Sequence, residues 1–292
     1  NRGVKRSDAA QYYPIKVHGI KVEYPNGEIA WLEDILPPSP NSSPQIRNCL
    51  FTGNADSHAL INNVGCSPTI SDCMFTRNSI ESIDPGINVG IITNRPGTTP
   101  QNNATIKNCT FLDNDPVASD WDNAEHVSTA IYNYETGPTI TDCKFENNNL
   151  GIYSYYNEPS LANNITTIVN CRFHGHNRQV EGRVQPHLFG IRVENLSALI
   201  IGCVFTGEHM RAVHAINKND SGHDVMTSIA NCTVTAASDA PGQITTTGSV
   251  MLNVFNSILW NPGPGSICIN AISAIILGLN YIAITLRIIC GG

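Results

Sequence analysis

Charge is scarce in this chain of 292 residues. Asp, Glu, Lys and Arg together make up 14% of it, against roughly 25% in ordinary soluble domains. The 17 basic residues are outnumbered by 24 acidic ones, giving a net charge of −7, and they form no clustered run. That excludes a nucleic-acid surface, which needs basic patches to neutralise phosphates. No C-x-x-C pair occurs among the 10 cysteines, which argues against a zinc or dithiol redox site. His209, His214 and His223 show no ligand spacing, so no metal and no cofactor are expected. A charged-then-apolar leader is also missing and the first residue is Asn1, so the expectation is a removed signal or a fragment.

Asparagine stands where charge does not, at 33 residues, and predicts a neutral, hydrogen-bonding surface. Many of these asparagines belong to a phrase, Ile-x-Asn-Cys-x-Phe. It begins with Ile46, Asn48, Cys49 and Phe51 and returns with Cys73, Cys109, Cys143, Cys171, Cys203 and Cys232. A worn copy runs Val254, Asn256, Ser257, Leu259. The Cys-to-Cys steps are 24, 36, 34, 28, 32 and 29 residues, then 25 to Ser257. A unit recurring at this size signals a repeat architecture.

Each phrase reads as two short strands around a corner. Cys73 and Phe75 are two apart, so on a strand they share a face. The corner residue is Asn, Asp or, once, Gly202. A side-chain role alone would not accept glycine, but a corner with φ > 0 would. A third β-rich stretch follows each phrase, as in Ala130-Ile131-Tyr132, Gly151-Ile152-Tyr153 and Gly190-Ile191-Arg192-Val193. No unit can bury its apolar face alone, but stacked units can. The expected fold is all-β: a right-handed parallel β-helix of about eight or more rungs, spaced about 4.8 Å. Uneven spacing is absorbed by loops such as 113–127 and 174–188. In this register seven cysteines form a ladder of buried, small, apolar thiols. Cys66, Cys268 and Cys290 lie off it, and a bridge between Cys268 and Cys290 stays open.

The ends differ from the repeats at 46–262. Residues 1–45 hold β-like pieces around a Pro25-Asn26-Gly27 turn and read as a cap or an extended arm. Residues 263–292 are apolar, yet Ile282, Ile284, Leu286, Ile288 and Cys290 alternate with strand periodicity. They read as last rungs or an assembly edge, which disfavours a membrane anchor. A sticky edge of this kind invites self-association through the terminal rungs.

The stretch from Thr105 to Asn114, Thr-Ile-x-Asn-Cys-x-Phe-x-x-Asn, resembles the passenger repeats of the chlamydial polymorphic outer-membrane proteins and similar bacterial β-helix surface proteins. The resemblance covers about residues 45–262. The Gly-Gly-Ala-Ile companion phrase and the strands of an autotransporter barrel are missing. The resemblance implies a secreted or surface-displayed module for adhesion or structure; a carbohydrate or host-surface ligand is the partner expected beside self-association.

A carbohydrate-active enzyme, a lyase or hydrolase, is the rival reading, since many β-helices cleave polysaccharides. The motifs of polygalacturonase-like enzymes are missing. The best alternative is a pair of loops carrying Asp120, Asp122 and His126, and His174 and His176, which read first as solvated loop residues. Tyr132, Tyr134, Tyr153 and Tyr155 alternate with Ile131 and Ile152. With Ile inward they face out as an aromatic strip for binding or packing, while Tyr156 does not. Of seven Asn-x-Ser/Thr sequons, Asn41, Asn164, Asn195 and Asn219 are the loop candidates for glycosylation. The reading that follows is a non-enzymatic extracellular structural or adhesive protein, self-assembling end to end.

Overall fold

The computed structural model describes residues 45–56, 59–80, 90–96, 103–114, 129–148, 150–157, 164–175, 189–207, 211–218, 225–236 and 243–260. Only the backbone is described at 55, 56, 80, 236 and 260, and for Ile20–Glu23, Ile29–Leu32, Gln179–Val180, Arg183–Val184, Ile269–Ile272, Ile275–Tyr281 and Ile288–Gly291.

Three columns of short strands stack in register to make a parallel β-solenoid. The Ile column runs from Gln45–Arg47 through Thr69–Ser71, Thr105–Lys107, Thr139–Thr141, Thr166–Val169, Ala198–Ile201 and Val225–Ala230. The Phe column runs from Leu50–Thr52 through Met74–Thr76, Thr110–Leu112, Lys144–Glu146, Arg172–His174 and Val204–Gly207 to Thr233–Ala236. Val250–Trp260 runs through both columns and joins them into one long sheet. A separate nine-stranded sheet forms the third face, from Ile61–Val64 to Ile288–Gly291.

The corner predicted from Asn, Asp and Gly is left-handed along the whole column. Asn48, Asp72, Asn108, Asp142, Asn170, Asn231 and Asn256 have φ between 42° and 58°, and Gly202 has φ 64°. Short Asx side chains and glycine tolerate that region best. Each turn brings its Ile, Cys and Phe inward. The six rings of Phe51, Phe75, Phe111, Phe145, Phe173 and Phe205 stack with centroids 4.6–4.9 Å apart and planes within 7° of parallel. That distance is the strand spacing itself, so the backbone ladder sets the ring ladder. Each stacked pair adds about 0.5–1.5 kcal/mol beyond its burial. Val234 and Leu259 continue the column as buried aliphatics.

The cysteine ladder is buried from Cys73 to Cys232, with Cys49 half-buried, and every described cysteine is free. Each thiol of the buried ladder donates to a carbonyl of the rung before, as Cys109 Sγ does to Ile70 O at 3.6 Å. Thiolates stacked in a dry core would repel one another and lose hydration, so the ladder stays protonated at neutral pH. Off the ladder, burial pushes the Cys66 thiol up to about 11.

Two interior columns are polar. Asn54, Asn78, Asn114 and Asn148 pass a hydrogen bond from each Nδ2 to the next Oδ1 at 2.8–2.9 Å. Asn78, Asn114 and Asn148 also donate to the carbonyls of Phe51, Phe75 and Phe111. The amide both donates and accepts, so one residue type can propagate the chain where Asp or Leu would break it. On the third face Asn63, Asn94, Asn133 and Ser154 form a second buried ladder at 2.7–3.1 Å.

The strand backbone of Ile20–Glu23 and Ile29–Leu32 forms an antiparallel hairpin, and Val22 pairs antiparallel with Phe51 at the first rung. Ile275–Tyr281 extends the Ile column, and Ile288–Gly291 the third face, as parallel strands. The alternating residues 282–287 lie outside the described residues. Among the described residues no helix is long and apolar enough to cross a membrane.

Candidate functional site

Among the described residues, the third face carries a polar cluster centred on Glu194. Gly151 just before Ile152–Tyr155 and Gly190 near the start of Phe189–Glu194 stand where neighbouring backbone crowds the chain. A Cβ on Gly151 would meet the Gly190 carbonyl oxygen at 2.5 Å, and one on Gly190 the Ala212 carbonyl oxygen at 3.0 Å. From Gly151 and Gly190 the two strands run in step, pairing Ile152 with Ile191, Tyr153 with Arg192 and Tyr155 with Glu194. The rung before pairs Tyr132 with Tyr153 and Tyr134 with Tyr155. Ile131, Ile152 and Tyr156 lie in the main core. Tyr132 and Tyr153 pack on the opposite side with Leu150 and Phe189, and Tyr134 and Tyr155 lean on that second cluster.

The tyrosines divide into two layers. Tyr132 and Tyr153 are each only 4% exposed, so they are a packed base rather than the open strip that alternation suggests. Their centroids are 5.4 Å apart. Tyr134 and Tyr155 are half-buried, 5.8 Å apart and tilted by 30°. Strand alternation shows which side a ring takes but not what lies over it.

Glu194 organises the cluster and is only 1% exposed. Its Oε2 accepts from the Tyr153 hydroxyl at 2.9 Å and from an Arg192 Nη at 2.9 Å. Its Oε1 meets Lys218 Nζ at 2.7 Å. The Arg192 guanidinium also lies over the Tyr153 ring, 4.8 Å from its centroid, a cation–π contact strengthened by partial burial. Burial opposes ionisation of Glu194, but the Lys218 hydrogen bond and the charges of Arg192 and Lys218 overcome it and hold its pKa below the usual value. Burial, reinforced by the Glu194 charge, pushes the Tyr153 hydroxyl up. Asn195 seats Lys218 by accepting from its backbone N–H at 2.8 Å. One rung on, His214 stacks on Phe189 at 4.8 Å, and the Arg211 guanidinium lies 5.4 Å from the same ring.

The other candidates fall elsewhere. His174 is exposed on the Phe column, with Nδ1 2.9 Å from Thr206 Oγ1. Asp120, Asp122, His126 and His176 lie outside the described residues, as do Asn41 and Asn219. Asn164 is half-buried and donates to the Glu135 carbonyl at 3.3 Å. Asn195 is a buried corner residue with φ 59°, not a loop residue, and its Nδ2 donates to the Tyr156 carbonyl at 3.0 Å. That amide is engaged, so the folded chain does not offer it for glycosylation. Among the described residues no group of three or more His, Cys, Asp or Glu is placed to hold a metal ion.

Arg192, Glu194 and Lys218 are absent from the sequence-derived candidates. A usable signal exists: aligning Gly151-Ile152-Tyr153-Ser154-Tyr155 with Gly190-Ile191-Arg192-Val193-Glu194 sets Arg192 beside Tyr153 and Glu194 beside Tyr155. No family model matches the chain, and no match emerges among curated proteins or solved structures.

Proposed function

We propose that this protein is a non-catalytic extracellular or cell-surface β-solenoid, structural or adhesive in role, whose contact surface is the third face. The observation that carries this reading is the state of Glu194. Both its oxygens are held by Lys218, Arg192 and Tyr153, and its pKa is lowered. A general acid needs a raised pKa, and a base must reach its substrate, whereas Glu194 is 1% exposed. Glu194 suits neither and acts as the anchor of a rigid surface. The repeat phrase itself is interior, so it supplies scaffold rather than chemistry. The resemblance of that phrase to surface-displayed passenger repeats supports the location.

Self-association is part of the proposal, with terminal rungs adding to one another as the strands within the chain do. Sedimentation at rising concentration with electron microscopy tests it. Rods lengthening in multiples of one unit support end-to-end assembly, and single rods at high concentration count against it.

A further inference from the structure

We propose that the third face binds an anionic glycan bearing uronate carboxylates, held by Tyr134, Tyr155, Arg192 and Lys218. This rests on the adhesive reading and adds the ligand class. The first support is the aromatic layer. Tyr134 and Tyr155 come from adjacent rungs, partly open to solvent and 5.8 Å apart, beside the buried pair Tyr132 and Tyr153, with the Tyr153 and Tyr155 centroids 6.2 Å apart. Rings packed against buried neighbours keep their orientation and lose little entropy when a sugar ring packs its C–H face on them. The Tyr155 hydroxyl donates to Asn157 Oδ1 at 3.1 Å and keeps lone pairs to accept from a sugar hydroxyl.

The second support is charge. Arg192 and Lys218 face Glu194, while Glu135 and Arg95 act on Tyr134, so three cations stand against two carboxylates around the tyrosines, a local positive surplus in a chain of net charge −7. The Lys218 side chain is 56% exposed. An ammonium has three donors, so those not directed at Glu194 can meet a ligand. A uronate offers an apolar ring face and a carboxylate acceptor on one sugar unit, matching both features. A neutral sugar leaves the surplus charge unused, and a cationic ligand is repelled by it.

The test is calorimetric titration of the full chain with oligogalacturonate, with cellohexaose and dextran sulfate as comparison probes. Oligogalacturonate should bind and weaken with added salt. Lys218→Gln and Tyr155→Ala should each weaken it roughly fivefold or more, measured at a temperature where circular dichroism shows each variant folded, since both residues also support the cluster. Equal, salt-insensitive binding of cellohexaose would overturn the anionic assignment and leave an adhesive face standing. Tighter binding of dextran sulfate would overturn the uronate assignment in favour of sulfate. No binding of any probe by folded protein would overturn the proposal and the glycan-adhesive reading of this face together.

Discussion

Replacing Asn114 by leucine cuts the interior asparagine ladder at its centre with little change of volume. Asn114 is 1% exposed and makes four hydrogen bonds. Its Nδ2 donates to Phe75 O at 3.0 Å and Asn148 Oδ1 at 2.9 Å. Its Oδ1 accepts from Asn78 N at 3.2 Å and Asn78 Nδ2 at 2.9 Å. At about 1 kcal/mol net each, their loss costs about 4 kcal/mol, and the partners left behind stay buried. Greater apolar burial by leucine returns about 1 kcal/mol, so the expected destabilisation is about 3 kcal/mol. The assay is urea unfolding, joined to amide hydrogen exchange because solenoids can open rung by rung. Exchange should accelerate first at Asn78 and its neighbouring rungs. Asn108→Gly is the control: it keeps the left-handed corner at φ 51° and loses only an exposed bond to Asp72, a change of roughly 0.5 kcal/mol or less. A loss below about 1 kcal/mol for Asn114→Leu, with exchange unchanged, would refute the ladder as a structural column.

Other perturbations probe different parts of the account. Gly202→Asn should fold with near-wild-type stability, because Asn holds φ > 0 at the equivalent corners and the nearest obstacle to its Cβ is the terminal Oδ1 of Asn170. Gly202→Val should cost about 2 kcal/mol from left-handed strain, and equal melting of the two variants would contradict this. Removing reductant should leave the melting temperature unchanged over the described core, and mass mapping after native alkylation should find Cys109, Cys143, Cys171 and Cys203 unmodified; rapid labelling there would refute the packed ladder. Glu194→Gln should destabilise by on the order of 2 kcal/mol at pH 7, less than for a fully buried pair because Lys218 stands in solvent. The folded pKa of Glu194 is depressed, so its contribution is present above about pH 4.3 and is lost as pH falls through the folded value. The gap between wild type and variant should therefore close in acid, and a constant gap down to pH 3 would contradict the ion-pair account.

The parts of this molecule legible in its sequence are those set by local backbone demands and repeated many times. The Asn, Asp and Gly202 column marked the left-handed corner, and the Cys-x-Phe spacing marked the inward face. Both follow from steric limits that act on one or two residues at a time. The Tyr strip was legible in sidedness and not in depth: the pleat turns Tyr153 away from Ile152, but the material that buries it comes from elsewhere in the chain. Arg192 and Glu194 were harder still. Each is unremarkable alone, and the pair gains meaning only when rung register brings Tyr153 and Lys218 to the same carboxylate. Asn195 shows the converse, a loop-like sequon whose amide the fold uses at a buried corner.

The most direct test of a non-catalytic surface is a turnover assay on polysaccharides. Purified protein is incubated with polygalacturonate, alginate and neutral glucans, and new reducing ends and unsaturated products are measured. The account predicts no turnover above buffer, even where binding is detected. Cleavage by the wild type that is abolished by Glu194→Gln in a folded variant would contradict it.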